Sequence, residues 1–242
     1  MADPDLKYTK VIEGIFLERP NRFVARVLIC GKEERVHVKN TGRCREILLP
    51  GAKVYLEERS NPNCKLRYSL IAALKGDCLI NIDSQAPNAV VKSALMRNKI
   101  SAIPDLQVLH PEINFASSRF DFYYETNSQK GFIEVKGVTL EKDGIALFPD
   151  APTERGTRHL RELILATYQG YRCAVIFLIQ LGGVDYFRPN REMDGEFALA
   201  VEEAAAAGVK ILAYECKVSP GELVLTNQIR VCLGPESFFL NH

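Results

Sequence analysis

The sequence predicts an α/β protein, α+β overall, in which a small all-β unit precedes a larger unit of alternating strands and helices. Three observations carry this. Short β-rich segments separated by turn residues run from Thr9 to Asp83, and the periodicity changes at SQAPN, residues 84–88. The 242 residues are 47% hydrophobic and 25% charged, the composition of a folded chain long enough for one large domain or two small ones.

In the first part, VIEGIFLE, RFVARVLI, ERVHVKN, AKVYLEE, YSLIAAL and CLINID read as strands, and no amphipathic helix interrupts them. Five or so short strands in about 75 residues fit a small β-barrel of the OB type, a fold that often holds nucleic acid. Fold by itself does not prove function. Residues 1–85 are therefore read as an OB-like barrel and residues 86–242 as a second domain. There, AVVKSALMRNKI is spaced as a helix, FDFYYET and GFIEVKGVTL as paired strands, and TERGTRHLRELILATYQG as a helix with Gly170 at its end. YRCAVIFLIQ is a fully apolar strand, EFALAVEEAAAAG a helix stopped by Gly208, and VKILAYECKV a further strand. That order predicts at least one parallel crossover.

No segment reaches the roughly 20 uninterrupted apolar residues of a membrane helix, and the polar start MADPDLKYTK has no apolar signal core. The expectation is a cytoplasmic protein with no membrane partner. The seven cysteines, at 30, 44, 64, 78, 173, 216 and 232, are odd in number and never spaced as Cys-x-x-Cys. This argues against a disulfide framework or a zinc ribbon, and for buried thiols in a reducing compartment. Net charge is +1; residues 1–85 hold 15 Lys+Arg against 11 Asp+Glu, and the remainder 16 against 19. A basic front half and an acidic rear half follow, although ordinary surface variation produces differences of this size.

The chemistry concentrates in FIEVKGVTL, residues 132–140. Alternation along a strand puts Glu134 and Lys136 on one face, opposite Ile133 and Val135. A Glu-x-Lys triplet is expected by chance about once in a chain of this length, so its context decides its meaning. In SSRFDFYYE, alternation places Asp121 with Arg119 and Tyr123, opposite Phe120, Phe122 and Tyr124. A hairpin through TNSQKG then brings Asp121 beside Glu134 and Lys136. Two carboxylates and an ammonium suit phosphodiester hydrolysis: carboxylates hold Mg²⁺ or Mn²⁺, one ion or two, with the Val135 carbonyl as a further ligand. The cation activates water and offsets charge on the phosphorus, and Lys136 positions that water or stabilises the transition state. A surface ion pair on a half-exposed sheet is the bland alternative.

Asp followed by Glu-x-Lys on adjacent strands, between two helices, resembles the PD-(D/E)XK nuclease superfamily. More narrowly, NTGR, SSRFDF, IEVKGVTL and FPDAPTERGTRHLREL occur in the order seen in the sugar fermentation stimulation protein A family, and the resemblance spans essentially the whole chain. It implies an OB-like N-terminal domain joined to a nuclease-like α/β domain, DNA binding, and a role in expression of sugar-utilisation genes. On the motif, Asp121, Glu134 and Lys136 fall on the superfamily's catalytic positions, and Glu112 in HPEINF falls where many members carry an additional acidic metal ligand. Phe120 stands where the superfamily has proline.

In TERGTRHLREL, helical spacing puts Arg155, His159 and Glu162 on one stripe. A helix that begins with Arg155 and Arg158 offers free amides and guanidinium forks suited to phosphate, and Gly156 in the first turn suggests close approach of a backbone or ligand. A solvated charged face is the plain alternative, and a lone histidine such as His159 is more often structural than catalytic. Asn40, Thr41, Gly42, Arg43 and Arg45 form a basic turn able to contact a nucleic-acid backbone, and a plain hairpin turn accounts for them equally well. Glu154 either joins the metal site or favours the helix N-terminus. Three functions follow in order: a DNA-binding protein with a Mg²⁺-dependent nuclease site, a non-catalytic DNA-binding regulator that keeps the fold as a platform, and a phosphodiesterase acting on RNA or a nucleotide-derived small molecule.

Overall fold

The computed structural model describes residues 3–40, 42–61 and 64–234; Thr41 of the basic turn lies outside them. The front barrel is built from β2 (Val11–Asn21), β3 (Val24–Ile29), β4 (Lys32–Val38), β5 (Lys53–Glu58) and β6 (Tyr68–Lys75). Its five strands follow the order β4-β3-β2-β5-β6, and parallel pairing of β4 with β6, His37 to Ser69 and Val38 to Leu70, closes the ring. Alternation sets the interior: in β3, Ala25, Val27 and Ile29 point inward, where they meet Phe16, Val36, Val54, Leu56 and Leu70. Strand β7 (Cys78–Asn81) hangs on the outer edge of β6. This is the OB-type barrel that the strand pattern predicts.

The second domain is one mixed sheet with few helices. Its strands are β8 (Leu106–Phe115), β9 (Ser118–Thr126), β10 (Lys130–Val138), β11 (Leu140–Lys142), β12 (Ile145–Phe148), β13 (Ala174–Ile179), β14 (Tyr186–Pro189), β15 (Lys210–Ser219) and β16 (Glu222–Val231), ordered β11-β12-β14-β16-β15-β13-β10-β9-β8. The apolar run of β13 is buried along its whole length, because it lies at the sheet centre between β10 and β15 and parallel to both. Helix α1 (Ala86–Met96) covers one face, with Val90, Val91 and Leu95 against Ile176 and Leu178. Helices α2 (Glu154–Tyr168) and α3 (Gly195–Ala206) cover the other, with Leu160, Leu163, Phe197 and Val201 against Val175 and Phe177. Both crossovers, β10 to β13 through α2 and β13 to β15 through α3, are parallel as the pattern predicts.

Periodicity predicts none of β8, β14 and β16. Strand β8 is an edge strand, partly exposed along its length and containing Pro111, which an edge tolerates because its amide need not pair. Strand β10 ends at Val138, and β11 starts a separate ladder with β12, so GFIEVKGVTL is not one strand. A short strand ahead of the barrel, β1 (Leu6–Lys7), pairs with β16, so residues 6–7 belong to the sheet of the larger domain and not to the barrel. Buried polar groups join the two domains: Tyr8 donates to Asp83 at 3.2 Å, and Gln180 beyond β13 donates to Asn81 and to the Asp83 carbonyl at 2.7 and 3.0 Å. Among the described residues no helix is long and apolar enough to cross a membrane, and all seven cysteines are free.

Candidate metal centre and phosphate-contact surface

Glu134 occupies the middle of β10 on the face covered by α2, and its residue exposure is only 3%. A buried carboxylate needs donors. Two converge on the same oxygen: Lys136 Nζ donates to Glu134 Oε1 at 2.6 Å, and the Nδ1–H of His159 donates to it at 2.5 Å. The second oxygen, Oε2, is buried with no protein partner. Burial pushes the Glu134 carboxyl up, but Lys136 and His159 together outweigh it and hold it below the usual carboxylate range.

Asp121 reaches this group through a break in β9. Phe120 packs into the α2-side core, whereas Phe122 and Tyr124 pack into the α1-side core, so strict alternation fails at Asp121. Regular pairing of β9 with β10 extends only as far as Ile133 opposite Phe122. Beyond it, the Val135 amide donates to Asp121 Oδ2 at 2.8 Å, and Asn88 of α1 donates to Oδ1 at 2.7 Å. The aspartate thus lies in the gap between the two strands rather than on a shared face. Burial, then the neighbouring Glu134, raise its carboxyl above the usual range. A strand residue presents its N–H and C=O on the same edge, so the Val135 carbonyl faces the Asp121 side as well.

Glu134 Oε2, the Asp121 carboxylate and the Val135 carbonyl make an all-oxygen donor set, the kind preferred by Mg²⁺, Mn²⁺ and Ca²⁺. The orphaned Oε2 is the clearest sign that the residues fit such a cation. Among the described residues, no three His, Cys, Asp or Glu side chains gather around a common point, so water and backbone would complete the shell. Glu112 stands apart: it lies on β8 with φ of 55°, and its exposed side chain pairs with Arg119 at 3.5 Å. Glu154, exposed in the first turn of α2, favours the helix N-terminus.

The charged stripe of α2 divides. Arg155 and Arg158 are exposed, but His159 and Glu162 are buried against the sheet. His159 therefore cannot present itself to a nucleic-acid backbone; its helix face is the one docked on β9 and β10. Glu162 accepts from Ser117; burial opposes its ionisation, yet the Ser117 hydroxyl helps hold its carboxyl below the usual range. Gly156 answers to packing: a Cβ there would sit 2.9 Å from the Thr153 cap and 3.0 Å from Phe197 of α3.

In the barrel turn, Asn40 is consumed internally. Its amide donates to the Ile82 carbonyl at 2.8 Å and accepts from the Gly42 amide at 2.7 Å, so it shapes the turn and leaves Arg43 and Arg45 facing solvent. Arg19, which no local pattern marks, organises the same turn by donating to the carbonyls of Asn40, Gly42 and Arg43. Arg19, Arg22, Arg43 and Arg45 line one open pocket on the barrel, floored by Phe16 and Leu48. The turn lies against the loop leading to α2, where a Cβ on Gly42 would be 3.2 Å from Asp150. Asn88 is also missed by sequence patterning, since α1 meets Asp121 only in three dimensions.

Residues 17–82 match the family model described as the SfsA N-terminal OB domain, and residues 85–222 match the one described as the Sugar fermentation stimulation protein RE domain. The chain is 55% identical over 231 residues to a sugar fermentation stimulation protein homolog of Alkaliphilus oremlandii, with 93% of this chain and 98% of that one covered. A homolog of Desulfitobacterium hafniense is 51% identical over 214 residues, covering 88% and 92%. A solved structure described as Pyrococcus furiosus SfsA in complex with Ca²⁺ superposes with a TM-score of 0.88 at 28% identity, covering 95% of this chain and 99% of that one.

Proposed function

The chain belongs to the sugar fermentation stimulation protein family, and from that premise we propose that it binds nucleic acid and hydrolyses phosphodiester bonds at a divalent-cation site formed by Asp121, Glu134 and the Val135 carbonyl. The observation that carries this reading is the bare, buried Oε2 of Glu134, with the half-buried Asp121 carboxylate close enough that, after burial, the Glu134 charge raises its ionisation range. A bound Mg²⁺ or Mn²⁺ ion would activate a water molecule and offset charge at the phosphorus. The Ca²⁺ named for the Pyrococcus furiosus relative belongs to the same oxygen-seeking class.

The remaining steps fall to the chain's own residues. Lys136 spends one of its three N–H donors on Glu134 and keeps the others to orient the attacking water or a phosphate oxygen. Arg155 and Arg158, exposed at the start of α2, suit the phosphate backbone, and Arg43 with Arg45 extend that contact onto the barrel. Glu112, with its outward side chain, is not needed for the shell.

A second reading, a non-catalytic nucleic-acid-binding regulator, is favoured by one observation: both Asp121 oxygens are already engaged, by Asn88 and by Val135. A link to sugar-utilisation genes rests on the family's name alone. Incubation with single- and double-stranded DNA and RNA, in arms containing Mg²⁺, Mn²⁺ or EDTA, separates the readings. Metal-dependent cleavage lost in Glu134→Gln supports the enzyme; binding without cleavage in every arm supports the regulator.

A further inference from the structure

Resting on the reading of Glu134 as a cation ligand, we propose that His159 is a positioning residue that decides which oxygen of Glu134 faces the cation. A glutamate carboxyl group turns about a soft, two-fold torsion, so its two oxygens exchange unless something distinguishes them. Lys136 alone would distinguish them poorly, because an ammonium on a flexible stem follows whichever oxygen is nearest.

His159 has no such freedom. It is 2% exposed, on the helix face whose neighbours Leu160 and Leu163 are fully buried. Its ring stands edge-on to Phe120, at 88° and 6.1 Å between centroids. Both ring nitrogens are engaged: Arg155, one helical turn earlier, donates through Nε to Nε2 at 3.3 Å, which makes Nε2 an acceptor and leaves the hydrogen on Nδ1 for Glu134. The imidazole therefore delivers a fixed donor to Oε1. Lys136 joins it on the same atom, and Oε2 is left without a protein partner. Outer donors of this kind orient first-contact ligands and are worth about 10–100-fold in metal affinity.

The test is calorimetric titration of the full chain with Mn²⁺ after EDTA treatment, with melting temperature followed by circular dichroism on each sample. The set comprises the parent, Glu134→Gln, His159→Leu and His159→Asn; the asparagine amide nitrogen can take the place of Nδ1. The expected result is Mn²⁺ binding by the parent, its loss in Glu134→Gln, an affinity about 10–100-fold weaker in His159→Leu, and recovery to within about threefold of the parent in His159→Asn. A purely packing role would move the melting temperature without this split. Leucine and asparagine variants that both bind like the parent, or that are equally weak, overturn the positioning role and leave the cation site standing. A parent that takes up no Mn²⁺, or a Glu134→Gln variant that binds as well as the parent, removes the cation site and the inference with it.

Discussion

Replacing Glu134 by alanine should destabilise the protein severely, quite apart from any activity. The side chain of Glu134 is 3% exposed and that of Lys136 15%, so the truncation strands an ammonium in a site with little access to water and removes the acceptor of the His159 Nδ1–H. Breaking a buried pair by deleting one partner costs about 3–5 kcal/mol. An orphaned donor adds about 1–3 kcal/mol. Partial escape of Lys136 to solvent offsets some of this, and about 4 kcal/mol remains. At roughly 2–4 °C per kcal/mol for a protein of this size, the melting temperature in EDTA should fall by about 8–16 °C. Glu134→Gln retains an acceptor oxygen and should cost less, about 1–2 kcal/mol. Adding Lys136→Met to the alanine variant should recover part of the loss, with a coupling of about 1–3 kcal/mol in the double-mutant cycle. The effect also has a pH signature. The folded Glu134 carboxyl lies below its unfolded value, so its contribution is complete above the ordinary glutamate range and is lost as pH falls through the folded value. The gap between parent and Glu134→Gln should narrow on acidification. An alanine variant that melts within about 2 °C of the parent, or strict additivity in the cycle, would refute the buried hub.

Asp121 behaves oppositely: burial and Glu134 raise its carboxyl, so the favourable contribution is present below the unfolded value and lost as pH rises through the folded one. In Asp121→Asn the single amide oxygen can keep the Val135 N–H, and the new NH₂ is satisfied only if the Asn88 amide turns over to present its oxygen. With that turn the variant should melt above the parent in EDTA at neutral pH, by about 2–4 °C for each kcal/mol relieved, while losing Mn²⁺ uptake, and a lower melting temperature in an Asp121→Asn, Asn88→Asp double variant contradicts this. Arg43→Ala combined with Arg45→Ala should weaken nucleic-acid binding for all sequences and flatten the salt dependence by up to about two units of slope, and unchanged salt titrations remove the barrel turn from the interface. Gly156→Ala, normally a gain of about 1 kcal/mol in a helix, should instead cost about 1–3 kcal/mol because its Cβ meets Thr153 and Phe197; a stabilised variant would show that α3 yields easily.

What the sequence determined by itself was whatever depends on near neighbours. Period-two alternation marks the barrel strands and separates Glu134 and Lys136 from Ile133 and Val135; the apolar run before Gln180 announces a central strand; Gly170 and Gly208, both with positive φ, close α2 and α3. Local chemistry also singled out Asp121, Glu134 and Lys136 as a set. Tertiary structure decided how the three are arranged. Whether His159 faces solvent or sheet depends on which side of α2 docks, and a mixed stripe of Arg155, His159 and Glu162 leaves that open until Leu160 and Leu163 are seen buried beside it. Asn88, 33 residues before Asp121, meets it only because α1 folds across the sheet. Edge strand β8 buries no residue fully and β16 buries only Leu223 and Leu225, so neither has the one buried face that would impose a regular alternation on its composition. The break at Asp121 has the same origin: strand spacing there is set by what packs on each face, so the gap that admits a carboxylate between β9 and β10 is a property of the assembled sheet and not of either segment.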